Sequence, residues 1–118
     1  MSLRSYIQSL MDRPGIVRVQ APVSSQYEIA GVLKQLEPEP VLFENVIGSE
    51  FQVIGNLYCS KASFADYFGI PKHEIIPTLT EAITRRSPPE EVDSAPCQEI
   101  VHTNPDLDKL PILQHCQG

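Results

Sequence analysis

The sequence predicts an α/β (α+β) domain: about four helices packed on a small, partly antiparallel sheet, followed by an extended C-terminal linker. Three observations carry this expectation. Apolar residues recur at three- and four-residue steps in several places, short runs of Val, Ile, Leu and Phe fall between them, and Gly, Pro, Asn and Ser punctuate the boundaries. The chain has 118 residues, 42% hydrophobic and 20% charged, which suits one domain with its own core and fits neither a disordered segment nor a coiled coil. No internal repeat is visible.

Leu3, Tyr6, Ile7, Leu10 and Met11 mark an amphipathic first helix that Pro14-Gly15 stops. Ile16-Val17-Arg18-Val19 then reads as a short strand. Ser25 and Glu28 have the spacing of a capping box, in which each side chain accepts from an amide at a helix start; Ile29, Ala30, Leu33 and Leu36 follow on one face until Pro38 and Pro40. Val41–Glu44 and Phe51–Ile54 flank the six residues Asn45–Glu50, predicting a hairpin. Ser60 is placed to cap a third helix carrying Phe64, Tyr67 and Phe68, and Gly69 supplies the left-handed residue that ends it. Pro71–Ile76 suggests a helical turn, and Pro77 the first position of a fourth helix that buries Leu79, Ala82 and Ile83. Ser87–Glu91 reads as a linker, and the alternation over Cys97–Val101 as one more strand, at the edge beside the hairpin. The core expected from these elements is Ile7, Leu10, Ile29, Leu33, Leu42, Phe43, Val53, Ile54, Phe64, Phe68, Leu79 and Ile83.

The segment from Val101 to Gly118 closes no domain. Pro105 and Pro111 bias it toward extended or turn conformations, and Leu107, Leu110, Ile112 and Leu113 have no evident partner. An extended apolar segment is expected to pack on something other than its own domain.

Net charge is −6 and the only adjacent basic pair is Arg85-Arg86, so no basic stripe follows a phosphate backbone and nucleic acid is excluded as the expected partner. Apolar runs such as Pro40–Phe43 are far shorter than the ~20 residues that cross a bilayer, so no membrane span is expected. Arg4 leads into the mixed stretch Ser5–Arg13 and not into the apolar stretch of a signal peptide, which makes the cytoplasm the expected location. Cys59, Cys97 and Cys116 are odd in number and far apart, as reduced thiols would be and a disulfide framework or Cys-x-x-Cys site would not.

Residues able to carry chemistry are few. His73, His102 and His115 lack any spacing that puts two imidazoles on one helical face, and read as surface or core histidines. In an extended segment His115 and Cys116 point to opposite sides, which disfavours joint binding of one metal. Cys59 precedes the cap of the third helix, where a thiolate would be favoured; the competing reading is a small residue packed at a strand-to-helix corner. Gly55-Asn56-Leu57-Tyr58 occupies a strand-to-helix junction of the kind that holds anions, but a single glycine points to tight backbone packing. The acidic pairs Glu37 and Glu39, Glu90 and Glu91, and Asp106 and Asp108 lie among prolines and turn residues, where solvated charge is the expected role.

Larger segments say more. Leu3–Leu10 is followed by Gly15–Val19, then Glu28-Ile29-Ala30, Pro40–Ser49, Val53–Leu57, Phe68-Gly69-Ile70, Ala95–Glu99 and Asp106–Ile112. In order and spacing these resemble the UbiD family of decarboxylases, over nearly the whole chain. Gln117 stands where the family commonly has proline, and Cys116 where an aromatic is common. The resemblance implies that residues 1–100 are the family's N-terminal α/β domain and 101–118 a linker to a central flavin-binding domain not present here. It implies prenylated FMN, a divalent metal (Mn) and K for the parent enzyme, all held by that central domain together with the catalytic Arg and Glu residues. No catalytic, cofactor-binding or metal-binding residue is therefore assigned within this segment. The parent would be a carboxy-lyase acting on an aromatic or α,β-unsaturated carboxylic acid, with the modified flavin serving as the electron sink. The remainder of the polypeptide would be the partner, in a homo-oligomer, and this segment alone would be inactive.

Two other functions compete: an independent binding or regulatory module, such as a small subunit of a multi-subunit (de)carboxylase, and a small thiol enzyme built on Cys59. A module should bury Leu107, Leu110, Ile112 and Leu113 within its own copy, whereas a piece of a longer enzyme should leave them exposed.

Overall fold

The computed structural model describes residues 2–116. Its elements are α1 (Leu3–Met11), β1 (Val17–Val19), α2 (Glu28–Gln35), β2 (Val41–Phe43), β3 (Val53–Gly55), α3 (Lys61–Phe68) and α4 (Ile75–Thr84), with 3₁₀ turns at Lys72–Glu74, Pro96–Gln98 and Leu107–Lys109.

The sheet runs β1-β2-β3, with β1 parallel and β3 antiparallel to the central β2. The parallel pair is joined through α2, as a parallel connection requires. All three residues of β2 are buried. Val41 and Phe43 join Val23, Ile29 and Val46 in one cluster, against which Val17, Val19, Val32, Leu33, Leu36 and Val53 pack; Leu42, one residue out of phase, points to the opposite face. A strand covered on both sides is the most apolar of the three for that reason.

Helix ends follow local chemistry where the partners are local. Ser2 Oγ accepts from Ser5 N at 3.2 Å while Ser5 Oγ accepts from Ser2 N at 3.0 Å, opening α1. Ser60 and Ser63 repeat this reciprocal pair at α3, both at 3.1 Å, and Gly69 closes that helix with φ 67°. Five aromatic rings tie the two helices together: Tyr6 packs edge-on against Tyr67 at 5.1 Å and stacks on Tyr58 at 6.1 Å, Tyr58 stacks on Phe64 at 5.2 Å, and Phe68 lies edge-on to Tyr67.

Several expectations are corrected. Ser25 does not cap α2: the N-cap is Tyr27, with φ 65° and no side-chain cap, and Glu28 instead accepts from Ser24 N at 2.7 Å. The hairpin is shorter than predicted. Glu44, Phe51 and Gln52 fall outside it and Gly55 inside, because the ladder runs from Val41↔Gly55 to Phe43↔Val53. Cys97–Val101 forms no strand; Pro96–Gln98 closes a 3₁₀ turn there, and no residue of 96–101 pairs with the sheet. Pro77 sits at the third residue of α4, where its missing N–H still costs no helical bond. Leu79, Ala82 and Ile83 are exposed, and Ile75 alone anchors α4 in the buried set. Phe64 and Phe68 are also exposed along one side of the aromatic group.

The C-terminal segment divides. Gln114 forms a one-residue parallel bridge to Gln26: its N–H donates to Ser25 O at 3.0 Å, its carbonyl accepts from Tyr27 N at 3.0 Å, and its amide donates to the Tyr27 hydroxyl at 2.7 Å. Leu113 beside it packs on the main cluster. The expectation that the whole segment avoids its own domain is thus wrong for Leu113 and Gln114, and for Lys109, whose carbonyl accepts from Ser49 Oγ. Leu107, Leu110 and Ile112 are 61%, 44% and 70% exposed. Gln117 and Gly118 lie outside the described residues.

Candidate functional site

Two concave regions stand out among the described residues. The larger, about 700 Å³, lies between the β2–β3 loop at Gly48–Phe51 and the segment His102–Leu110. The loop is held to the segment by Ser49 Oγ, which donates to Lys109 O at 2.7 Å. Asp106 shapes the far wall by accepting from Asp108 N at 3.2 Å, opening the Leu107–Lys109 turn. His102, Asp106, Lys109 and Glu50 stand on its rim. Apart from half-buried Ser49, every residue lining it is exposed.

The smaller hollow, about 270 Å³, lies between α1 and α3. Arg13 forms a two-pronged ion pair with Asp66, with Nη1 3.0 Å from Oδ1 and Nη2 on Oδ2. The guanidinium's hydrogen bonds hold the Asp66 carboxyl below its ordinary value of 3.8. Tyr6 is shifted the other way, above 10.0, first by burial and then by the Asp66 charge; its hydroxyl donates to Ser63 O at 3.4 Å. Both shifts keep the groups in their ordinary neutral-pH forms, a fixed anion and a neutral phenol. They describe a helix-to-helix fastening and not an acid–base pair.

The individually weighed residues do not converge. His73 is exposed and 3.9 Å from Glu74. His102 stands at the larger groove, and His115 is exposed beyond Gln114. All three cysteines are exposed thiols. Cys59 is therefore not the packed corner residue expected; its thiol lies 3.4 Å from Asn56 Oδ1. Glu37 pairs with Lys34 at 2.8 Å at the end of α2. Among the described residues, no three His, Cys, Asp or Glu side chains are grouped to hold a metal ion. No helix of the described residues is long and apolar enough to cross a membrane.

At the Gly55–Tyr58 junction the packing reading holds. A Cβ on Gly55 would lie 2.7 Å from Leu33 Cδ1 and closer still to Cδ2, so the absent side chain is what admits α2 against β3. The next residue was missed as a structural one: Asn56, at φ 59°, donates from its amide to Leu33 O at 2.8 Å and satisfies a carbonyl near the end of α2. Gly-Asn at a strand end was the readable signal, because both residues tolerate positive φ.

Comparison with known proteins assigns this architecture. Residues 7–83 match the family model of the 3-octaprenyl-4-hydroxybenzoate carboxy-lyase N-terminal domain. The anhydromevalonate phosphate decarboxylase of Methanosarcina mazei is 39% identical over 118 residues, 98% of this chain and 26% of that protein. The UbiD-class enzyme HmfF from Pelotomaculum thermopropionicum, solved with FMN, superposes with a TM-score of 0.88 at 31% identity, covering 100% of this chain and 28% of the other. An evolved dimeric form of HmfF, solved with prFMN, gives 0.86 at 30% identity over 99% of this chain and 28% of that one. The chain spans about a quarter of the length of these relatives. With the βαβ core, the hairpin and the resemblance in sequence all in agreement, the chain belongs to the UbiD family of decarboxylases and represents its N-terminal domain.

Proposed function

We propose that the chain is the N-terminal scaffold of a longer carboxy-lyase that decarboxylates an aromatic or α,β-unsaturated carboxylic acid with prenylated FMN, and that these 118 residues are inactive alone. The observation that carries this reading is the end-to-end likeness to a named decarboxylase, 39% identity over 98% of this chain within only 26% of the relative. The prFMN held by the evolved HmfF supports the choice of cofactor. Residues 1–100 would form the domain and 101–118 the connection to a central flavin-binding domain, in a cytoplasmic homo-oligomer.

The described residues do not fit the flavin themselves. A cofactor site needs an enclosed, mostly apolar slot with a few converging polar groups. The groove beside Ser49 is open, its walls are exposed, and Lys109 is its only cation. The metal and K of the parent would belong to the rest of the longer polypeptide. The exposed Leu107, Leu110 and Ile112 support the scaffold reading over the self-contained module, which required all four apolar side chains of the segment to be covered.

A chimera tests this: the chain replaces the matching N-terminal quarter of the M. mazei decarboxylase. Decarboxylation of anhydromevalonate phosphate by the chimera, with none by the 118-residue chain, is the expected result. Carbon dioxide release or a stoichiometric flavin spectrum from the isolated chain would overturn it.

A further inference from the structure

Ile76, Leu79 and Ile83 stand at i, i+3 and i+7 along α4, within a sector of about 60° of the helix circumference. They are 70%, 42% and 68% exposed, although Ile75 fastens the same helix to the domain from the neighbouring side. The charged residues of the helix, Glu81 and Arg85, pair with each other at 2.8 Å on the opposite side. Thr80, at the margin of the stripe, turns its hydroxyl back onto Ile76 O at 2.9 Å. The outward face is thus apolar, uncharged and free of unsatisfied hydroxyls. Isoleucine is a poor choice for an exposed helical position on propensity grounds alone, which points to a partner as the reason for these side chains.

We infer that this face of α4 is the docking surface for the polypeptide that follows the domain in the longer enzyme; the inference rests on the scaffold reading above. Two observations select that occupant over a second copy of the domain. A ten-residue helix is about 15 Å long, and a three-residue stripe on it falls well short of the ~800 Å² per partner that holds two separate molecules together. A covalently joined partner needs less area, because the tether supplies a high effective concentration. Roughly three-quarters of the relatives' length also lies outside the part matched here, which is an N-terminal domain, and Gln114 fastens the end of the segment that follows it against the domain.

The test is thiol accessibility in the chimera described above. Cys59, Cys97 and Cys116, all exposed, are replaced by serine, and single cysteines are introduced as Ile83→Cys on the stripe and Glu81→Cys on the far side. Iodoacetamide should alkylate Ile83→Cys about tenfold more slowly in the chimera than in the isolated chain, with Glu81→Cys reacting alike in both. Equal rates for Ile83→Cys in a chimera that still decarboxylates would overturn the docking surface and leave the scaffold reading standing. An isolated chain that sediments as a dimer, and that Ile83→Glu returns to monomer, would hand the face to a second copy. An inactive chimera would remove the scaffold reading and the docking surface with it.

Discussion

Residues up to Ile75 and those after it are built on different terms. Among the described residues, all ten buried apolar side chains lie between Tyr6 and Ile75, and none from Ile76 to Cys116 is buried. The second region is poorer in apolar residues but far from devoid of them: it exposes Ile76, Ile83, Val92, Ile100, Val101, Leu107 and Ile112. The difference teaches that hydrophobic content alone does not locate a core. In the first region apolar residues sit on elements that face one another across β2; in the second they are spread over one helix, short turns and irregular segments, and only Leu113 reaches the main cluster.

The strongest way to break that contrast is at Phe43, fully buried at the centre of the sheet. Phe43→Ala should cost about 3–5 kcal/mol in urea unfolding; a loss under ~1 kcal/mol would mean the first region has no tight core. Next is Gly55→Ala, which must displace Leu33 and should cost about 1–3 kcal/mol by overpacking. The same change in a Leu33→Ala background should cost much less, and an equal cost in both backgrounds would show that Leu33 is not the obstacle.

The boundary itself is sharpened by truncation after Leu110. This removes the two backbone hydrogen bonds of Gln114 and the contact of Leu113, so stability should fall by about 1–2 kcal/mol while the circular dichroism spectrum stays folded. An unfolded product would place the end of the chain inside the core. A smaller effect is expected at the Arg13–Asp66 fastening. Asp66 titrates below its ordinary 3.8, so its contribution is complete above about pH 4 and fades as the pH falls through the lowered value. Both side chains are more than 40% exposed, which limits Asp66→Asn to under ~1 kcal/mol at pH 7. That deficit should shrink below about pH 4; a constant deficit down to pH 2 would show that the pair is not its origin. Smallest of all is Ile83→Glu in the isolated chain, expected within about ±0.5 kcal/mol of the parent; a larger loss would mean α4 is packed after all.

What the sequence made legible follows the reach of each interaction. Ser60 and Gly69 bracket α3 as read, because cap and stop act within a few residues. The start of α2 was misread because Tyr27 is set by Gln114, 87 positions away, and no local pattern announces that contact. The fourth helix was found, but its outer face was assigned to the core; periodicity reports that a helix has an apolar side, not which body covers it. For the candidate site, the reading of Gly55 as a packing glycine was recoverable from its position after a strand, while the exposure of Cys59 was not, since it depends on how the loop leaves β3.

The three-residue strands bear on how the domain avoids sticking to itself. An edge strand presents a row of unpaired amides that a neighbouring molecule can extend, and the hazard grows with the length and flatness of the row. Here β1 and β3 form the two edges, each only three residues long, and each gives way at once to loop or turn. A foreign strand could find only one or two well-placed backbone bonds before the template ends. Fibril-like growth through the sheet is therefore disfavoured by geometry, and aggregation, where it occurs, should be amorphous and relieved by charge placed on the exposed apolar side chains after Ile75.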